Sequence, residues 1–212
     1  MTFIKICGIT RPVDADKAVE FGADALGFNF YAKSPRWIPP EQAWPIMQSL
    51  PKNVRPVALY VNKRWSDVTS LVERLGVRLV QIHADVHEPC PNKALEWIPA
   101  FPVKDQASLT IIENFLARCR EMEYHPAAIL VDAHVSGLYG GTGRTPPWEM
   151  LADFQCDVPL VLAGGLTPEN VVKAIRTVRP WAVDVASGVE ESPGIKDVSK
   201  MKRFIDAVRS VS

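Results

Sequence analysis

Eight short apolar or β-branched runs, at residues 3–7, 25–30, 55–61, 79–83, 98–103, 129–132, 160–163 and 182–186, recur along the whole chain. At roughly one run per 26 residues, the spacing is close to the minimum for a parallel strand whose crossover contains a helix. Between the runs, apolar residues follow the helical period. Ala43, Ile46, Met47 and Leu50 do so, as do Val68, Leu71, Val72 and Leu75, then Val171, Ala174, Ile175 and Val178, and, less strictly, Val198, Met201, Phe204, Ile205 and Val208. Thr167-Pro168-Glu169 and Pro40-Glu41 read as helix starts, while Gly22 and Gly76 each lead from a helix end into a strand. Strict alternation over this length favours one closed (β/α)₈ barrel spanning residues 1–212 over an open doubly wound sheet. Pro45 is expected to interrupt the second helix, and Pro99 with Pro102 to disturb the fifth strand. Segment 87–97, with Pro89 and Pro91, has room for no more than a short helix.

Charge and cysteine content narrow the partners. The 24 Lys+Arg balance 24 Asp+Glu, which provides no basic footprint for nucleic acid or an anionic membrane. Lys200, Lys202 and Arg203 alternate with Met201 and Phe204, as on the solvated face of a helix. No apolar run approaches the ~20 residues of a membrane span, and no leader-like pattern opens the sequence, so a cytoplasmic protein is expected. Cys7, Cys90, Cys119 and Cys156 form no CxxC pair, hence neither a zinc framework nor a disulfide scaffold.

In a parallel barrel alternate side chains point inward, and the strands' C-terminal ends carry the site. Parity places Lys5 and Cys7 on one face of the first strand, Gln81 and His83 on one face of the fourth, Asp132 at the end of the sixth and Asp184 on the eighth. Each has an ordinary alternative. A lone cysteine is most often a small buried hydrophobe. Lys5 and Asp184 either neutralise one another or meet a ligand. His83 reads more readily as a hydrogen-bonded core histidine than as a catalytic one, and His87, His125 and His134 read as surface residues. The other three cysteines read as structural. Asp132 closes the apolar run Ile129-Leu130-Val131, where a carboxyl is expected to hold its proton as a donor requires. Gly164-Gly165 ends the seventh run and Ser187-Gly188 the eighth, at the two loops that hold phosphate in many barrels, although glycine also permits tight turns. Gly140-Gly141-Thr142-Gly143 follows the sixth run and reads as a lid or a flexible connection.

Lys5-Ile6-Cys7-Gly8-Ile9-Thr10-Arg11 closely resembles the opening signature of the phosphoribosylanthranilate isomerases of tryptophan biosynthesis. The likeness continues through Gly22-Ala23-Asp24-Ala25-Leu26-Gly27-Phe28, Ser34-Pro35-Arg36, Val80-Gln81-Ile82-His83, the 140–143 glycines, Ala163-Gly164-Gly165-Leu166-Thr167-Pro168-Glu169-Asn170 and Val183-Asp184-Val185-Ala186-Ser187-Gly188-Val189-Glu190, ending in Pro193-Gly194-Ile195-Lys196-Asp197. It departs at Thr145-Pro146-Pro147, where an aromatic and an acid are usual before Trp148, and at Ala84, where glycine is usual.

The resemblance implies an Amadori rearrangement of an aminoaldose phosphate to an aminoketose, with Cys7 as general base and Asp132 as general acid. It further implies that Arg36 holds the anthranilate carboxylate and that Gly164, Gly165, Ser187 and Gly188 hold the 5′-phosphate, with His83 and Asp184 also facing substrate. The substrate nitrogen serves as electron sink, so neither metal nor organic cofactor is expected, and the only partner implied is the small phosphosugar, bound by a monomer or a homodimer. Two rivals are weighed. A histidine-pathway isomerase would be expected to use two carboxylates and two phosphate sites, and a non-catalytic phosphate-binding barrel would be expected to lack the base or the acid.

Overall fold

The computed structural model describes residues 1–133 and 148–211. The 140–143 glycine loop, His134 and the departure at 145–147 lie outside the described residues. Eight parallel strands close into a barrel in sequence order: β1 (Phe3–Cys7), β2 (Ala25–Asn29), β3 (Arg55–Val61), β4 (Leu79–His83), β5 (Glu96–Val103), β6 (Ile129–Ala133), β7 (Leu160–Leu162) and β8 (Ala182–Val185). The ring is sealed where β1 meets β8, with Phe3 opposite Ala182 and Lys5 opposite Asp184.

Helices α1 (Pro12–Phe21), α2 (Pro40–Ser49), α3 (Trp65–Leu75), α4 (Gln106–Glu121), α5 (Trp148–Ala152), α6 (Val171–Val178) and α7 (Val198–Arg209) surround it. Gly22 and Gly76 end α1 and α3 in the left-handed conformation, with φ of 97° and 66°, and turn the chain into the next strand. One face of each strand packs outward against helices through residues such as Ile4, Ile6, Val80, Ile82, Val183 and Val185. The other face fills the lower barrel with Ala25, Val57, Leu79, Ile98, Leu130, Val161 and Ala182. An apolar floor of this kind leaves the polar inward residues to the upper half.

Several expectations are corrected. No helix follows β4. His87, Cys90 and Leu95 are buried there instead, and α4 pins the segment, Arg118 donating to the His87 carbonyl (2.9 Å) and the Tyr124 hydroxyl, just beyond α4, to the Leu95 carbonyl. His87 is therefore not a surface residue. It lies against Phe101 (ring centroids 4.3 Å apart), with Nε2 2.9 Å from the Ala100 carbonyl, and burial pushes its pKa down to about 4. The fifth strand runs through both of its prolines, pairing Pro99 with Ile82 and Pro102 with Asp132. Eight residues of strand leave enough other ladder bonds to hold it. Likewise α2 continues through Pro45, which is exposed, so the carbonyl it leaves without a donor can be hydrated. The sixth helix starts at Val171 rather than at Pro168. The eighth strand stops at Val185; Ser187–Val189 forms a 3₁₀ turn, followed by a hairpin of β9 (Glu190–Ser192) and β10 (Ile195–Lys196).

Candidate active site

Lys5, Cys7, Gln81, His83, Asp132 and Asp184 are all buried in the barrel, as parity requires. Lys5 Nζ donates to Asp184 Oδ1 at 2.8 Å, so these two groups do neutralise each other. That pair sits beneath Cys7 because Gly27 on β2 leaves room: a Cβ there would stand 2.8 Å from Cys7 Sγ and 3.0 Å from Lys5 Nζ. Burial pushes the Cys7 thiol above its ordinary range; the Lys5 ammonium pulls against that shift and the Asp184 carboxylate adds to it. For Lys5 burial works in the opposite direction, but the adjacent Asp184 and Cys7 outweigh it and keep the ammonium charged.

His83 Nε2 lies 2.8 Å from the Gln81 amide nitrogen. Since that amide can only donate, Nε2 accepts and the ring proton sits on Nδ1. Burial, with Lys5 next in effect, depresses the His83 pKa to about 3, so the ring is neutral at physiological pH. Asp132 follows Leu130, which lines the barrel floor, by two positions on β6, and so shares the inward face at the strand's C-terminal end.

Arg36 reaches the mouth from the loop after β2. The Asn29 amide donates to Ser34 Oγ (3.0 Å), and Ser34 Oγ accepts from the Arg36 backbone N–H (3.1 Å), shaping that loop. The side chain lies across Gly8, whose φ is 77° and where a Cβ would fall 2.6 Å from Arg36 Cδ. Sequence reading missed its partner: Glu190 accepts from Arg36 Nε at 2.9 Å and from Nη2 at 2.7 Å. One edge of the guanidinium is thereby taken, and the Nη1–Nη2 edge is left to grip a second carboxylate. Arg36 is thus largely buried and held in an ion pair.

Gly164 (φ 85°) and Gly165 (φ 66°) turn the chain out of β7. Asn170 braces the turn, donating to the Gly165 carbonyl at 2.9 Å and accepting from the Thr167 N–H at 2.8 Å. Gly188 presses the loop after β8 onto this one, since a Cβ there would lie 1.8 Å from the Leu166 carbonyl oxygen. The two glycine segments flagged in the sequence are thus neighbours in space, with Ser187 beside them.

A family model described as N-(5′-phosphoribosyl)anthranilate (PRA) isomerase matches residues 4–207. The chain belongs to that family. An N-(5′-phosphoribosyl)anthranilate isomerase of Geobacter sulfurreducens is 46% identical over 208 residues, covering 97% of each chain. One from Geotalea uraniireducens is 44% identical over all of both chains. Among solved structures, the Thermotoga maritima phosphoribosylanthranilate isomerase superposes with a TM-score of 0.88 at 38% identity, covering 99% of this chain and 100% of that one. A further structure of a phosphoribosylanthranilate isomerase, solved in complex with reduced 1-(o-carboxyphenylamino)-1-deoxyribulose 5-phosphate, gives a TM-score of 0.82 at 36% identity over 99% of this chain and 100% of that one.

Proposed function

We propose that this barrel catalyses the Amadori rearrangement of N-(5′-phosphoribosyl)anthranilate to 1-(2-carboxyphenylamino)-1-deoxyribulose 5-phosphate in tryptophan biosynthesis, with Cys7 as general base and Asp132 as general acid. The observation that carries the assignment is the placement of a thiol and a carboxyl on the inward face at the strands' C-terminal ends, with the Lys5 ammonium beneath the thiol.

Asp132 gives its proton to the ring oxygen as the C1′–O bond breaks, and the anilino nitrogen lone pair forms a C1′=N iminium. The iminium makes the C2′ proton acidic. The Cys7 thiolate takes that proton, the C–H electron pair becomes a C1′=C2′ bond, and the iminium pair returns to nitrogen. Loss of the C2′ hydroxyl proton and gain of a proton at C1′ then convert the enol to the ketone. No atom is gained or lost overall, and the chain's own residues need only move protons and hold anions. Gly164, Gly165, Ser187 and Gly188 would hold the 5′-phosphate with backbone N–H groups. Arg36, fixed by Glu190, would grip the anthranilate carboxylate through its other edge. Asp184 and neutral His83 would contribute hydrogen bonds around the sugar.

The deciding experiment is a direct assay with N-(5′-phosphoribosyl)anthranilate in metal-free buffer. Turnover there supports substrate, reaction and cofactor independence together, and its absence would sink the reading. Arg36→Ala is expected to raise KM by about tenfold or more, because the proposed grip on the substrate carboxylate is lost together with one of Glu190's two charged partners. An unchanged kcat/KM would remove the clamp.

The pH profile follows from the thiol. Since the Cys7 pKa is raised, its thiolate fraction is small at neutral pH, and kcat should climb as pH rises toward that value. The Lys5 charge favours the thiolate, so Lys5→Met should displace the rising limb to higher pH. His83, already neutral above about 3, adds no limb between pH 5 and 8.

A further inference from the structure

Lys196 lies at the base of this arrangement, and its side chain is wholly buried. It stands opposite Glu190 in the β9–β10 hairpin. Its ammonium has three protons and three acceptors around it: the Cys7 carbonyl at 2.5 Å, Glu190 Oε1 at 2.9 Å and the Ala186 carbonyl at 3.2 Å. Those acceptors belong to three different parts of the site. Cys7 ends β1, Ala186 follows β8, and Glu190 carries the bidentate grip on Arg36. The hairpin is itself held in place from the other side, with the Lys196 N–H donating to Asp14 Oδ2 (3.2 Å) and Thr10 Oγ1 to the Gly194 carbonyl (2.5 Å).

Burial pulls the Lys196 pKa below its ordinary value and Glu190 opposes that pull; a buried charge of this kind is costly unless it is fully paired, and replacing such a pair with apolar groups is often no less stable. Mere stability is therefore a poor account of it. Coupling is a better one, because a fixed point charge with three directional bonds sets distances among groups that no single strand spans. Its field also reaches the Cys7 thiol, where it favours the thiolate.

We propose that Lys196 is a positioning residue for the site, tying the base to the arginine clamp: its side chain holds the end of β1 at the Cys7 carbonyl and holds Glu190 against Arg36. The proposal rests on the reading of Cys7 as base and Arg36 as carboxylate clamp. Lys196 touches no reacting atom, so its effects must pass through those two residues.

The test is Lys196→Met, which keeps the length of the side chain and removes the charge. Two readouts are taken: the pH dependence of Cys7 alkylation by iodoacetamide, followed on the Cys7 peptide by mass spectrometry, and steady-state kinetics with Arg36→Ala as a second mutation. The alkylation limb is expected to move up by about half a pH unit or more, and the kcat limb to move with it. KM should rise, and Arg36→Ala should then add less than it does in the parent protein, because the clamp has already lost its brace. Added propylamine should restore part of kcat in Lys196→Ala. An unmoved alkylation limb with strictly additive KM effects would overturn the proposal. Because alkylation does not depend on turnover, that result is distinct from failure of the functional reading, which would show as full activity in Cys7→Ala. If Lys196→Met does not fold, Glu190→Gln carries the test. It keeps hydrogen-bonding atoms in place and removes the charge between Lys196 and Arg36, and an unchanged KM there would likewise overturn the coupling.

Discussion

Cys7→Ala and Asp132→Asn should each lower kcat with N-(5′-phosphoribosyl)anthranilate by at least ~10²-fold, the lower range for loss of a general base or acid. Asp132→Asn is isosteric and Cys7→Ala removes a single heavy atom, and KM should move far less than kcat, since neither group is assigned to hold the phosphate or the carboxylate. The two variants differ in their pH profiles. Loss of the base removes the rising limb set by the raised thiol pKa, whereas loss of the acid leaves that limb in place at a lower plateau. Near-parental turnover in either variant, measured by consumption of substrate, would remove that residue from the mechanism.

The second large effect is expected at Gly188. A methyl group there would meet the Leu166 carbonyl oxygen at 1.8 Å, a contact with backbone that no side-chain rotation can relieve. Gly188→Ala must therefore push the loops after β7 and β8 apart, at a cost of roughly 1–3 kcal/mol or more in stability. The same separation would spread the backbone donors proposed for the phosphate. Thermal unfolding should show a lowered midpoint, and inhibition by inorganic phosphate should weaken about tenfold, a loss on the scale of one charged hydrogen bond. Gly22→Ala is the control. Unlike Gly188 it sits in the left-handed region, at φ 97°, and no atom lies within 4 Å of the added carbon. It should cost about 1–2 kcal/mol from backbone strain alone and leave phosphate affinity untouched.

The barrel was legible because its strands advertise themselves twice, once by apolar runs and once by the polar residues breaking those runs at fixed parity. Strands 3–7, 55–61 and 79–83 match to the residue, and Lys5, Cys7, His83 and Asp184 face inward as alternation requires. The segment after β4 was not legible. Its order comes from α4 through Arg118 and Tyr124 and from the aromatic pocket that takes His87, none of which is visible in local pattern. The prolines of β5 misled for a related reason: a local rule about donors counts for less than the neighbouring strands on both sides. Arg36 could be found only through the Ser34-Pro35-Arg36 likeness, and although Glu190 and Lys196 fall inside the later stretches of that likeness, nothing local says that they meet Arg36. Glu190 and Lys196 lie more than 150 residues along the chain from Arg36, and charged residues near a chain's end ordinarily read as solvated surface.

The seam between β1 and β8 also bears on how this protein acquires activity. Lys5 and Asp184 are 179 residues apart in sequence, and the Lys196 bond to Cys7 closes a loop of 189. Contacts between successive strands form across short loops, whereas these must wait for a loop closure that spans most of the chain. A folding intermediate with seven ladders paired and the ring still open would hold most of its secondary structure, yet Asp184 would not be in place against Lys5, nor Lys196 against the end of β1. Recovery of catalysis after dilution from denaturant would then lag behind recovery of helical signal, and enzymatic activity would report ring closure itself.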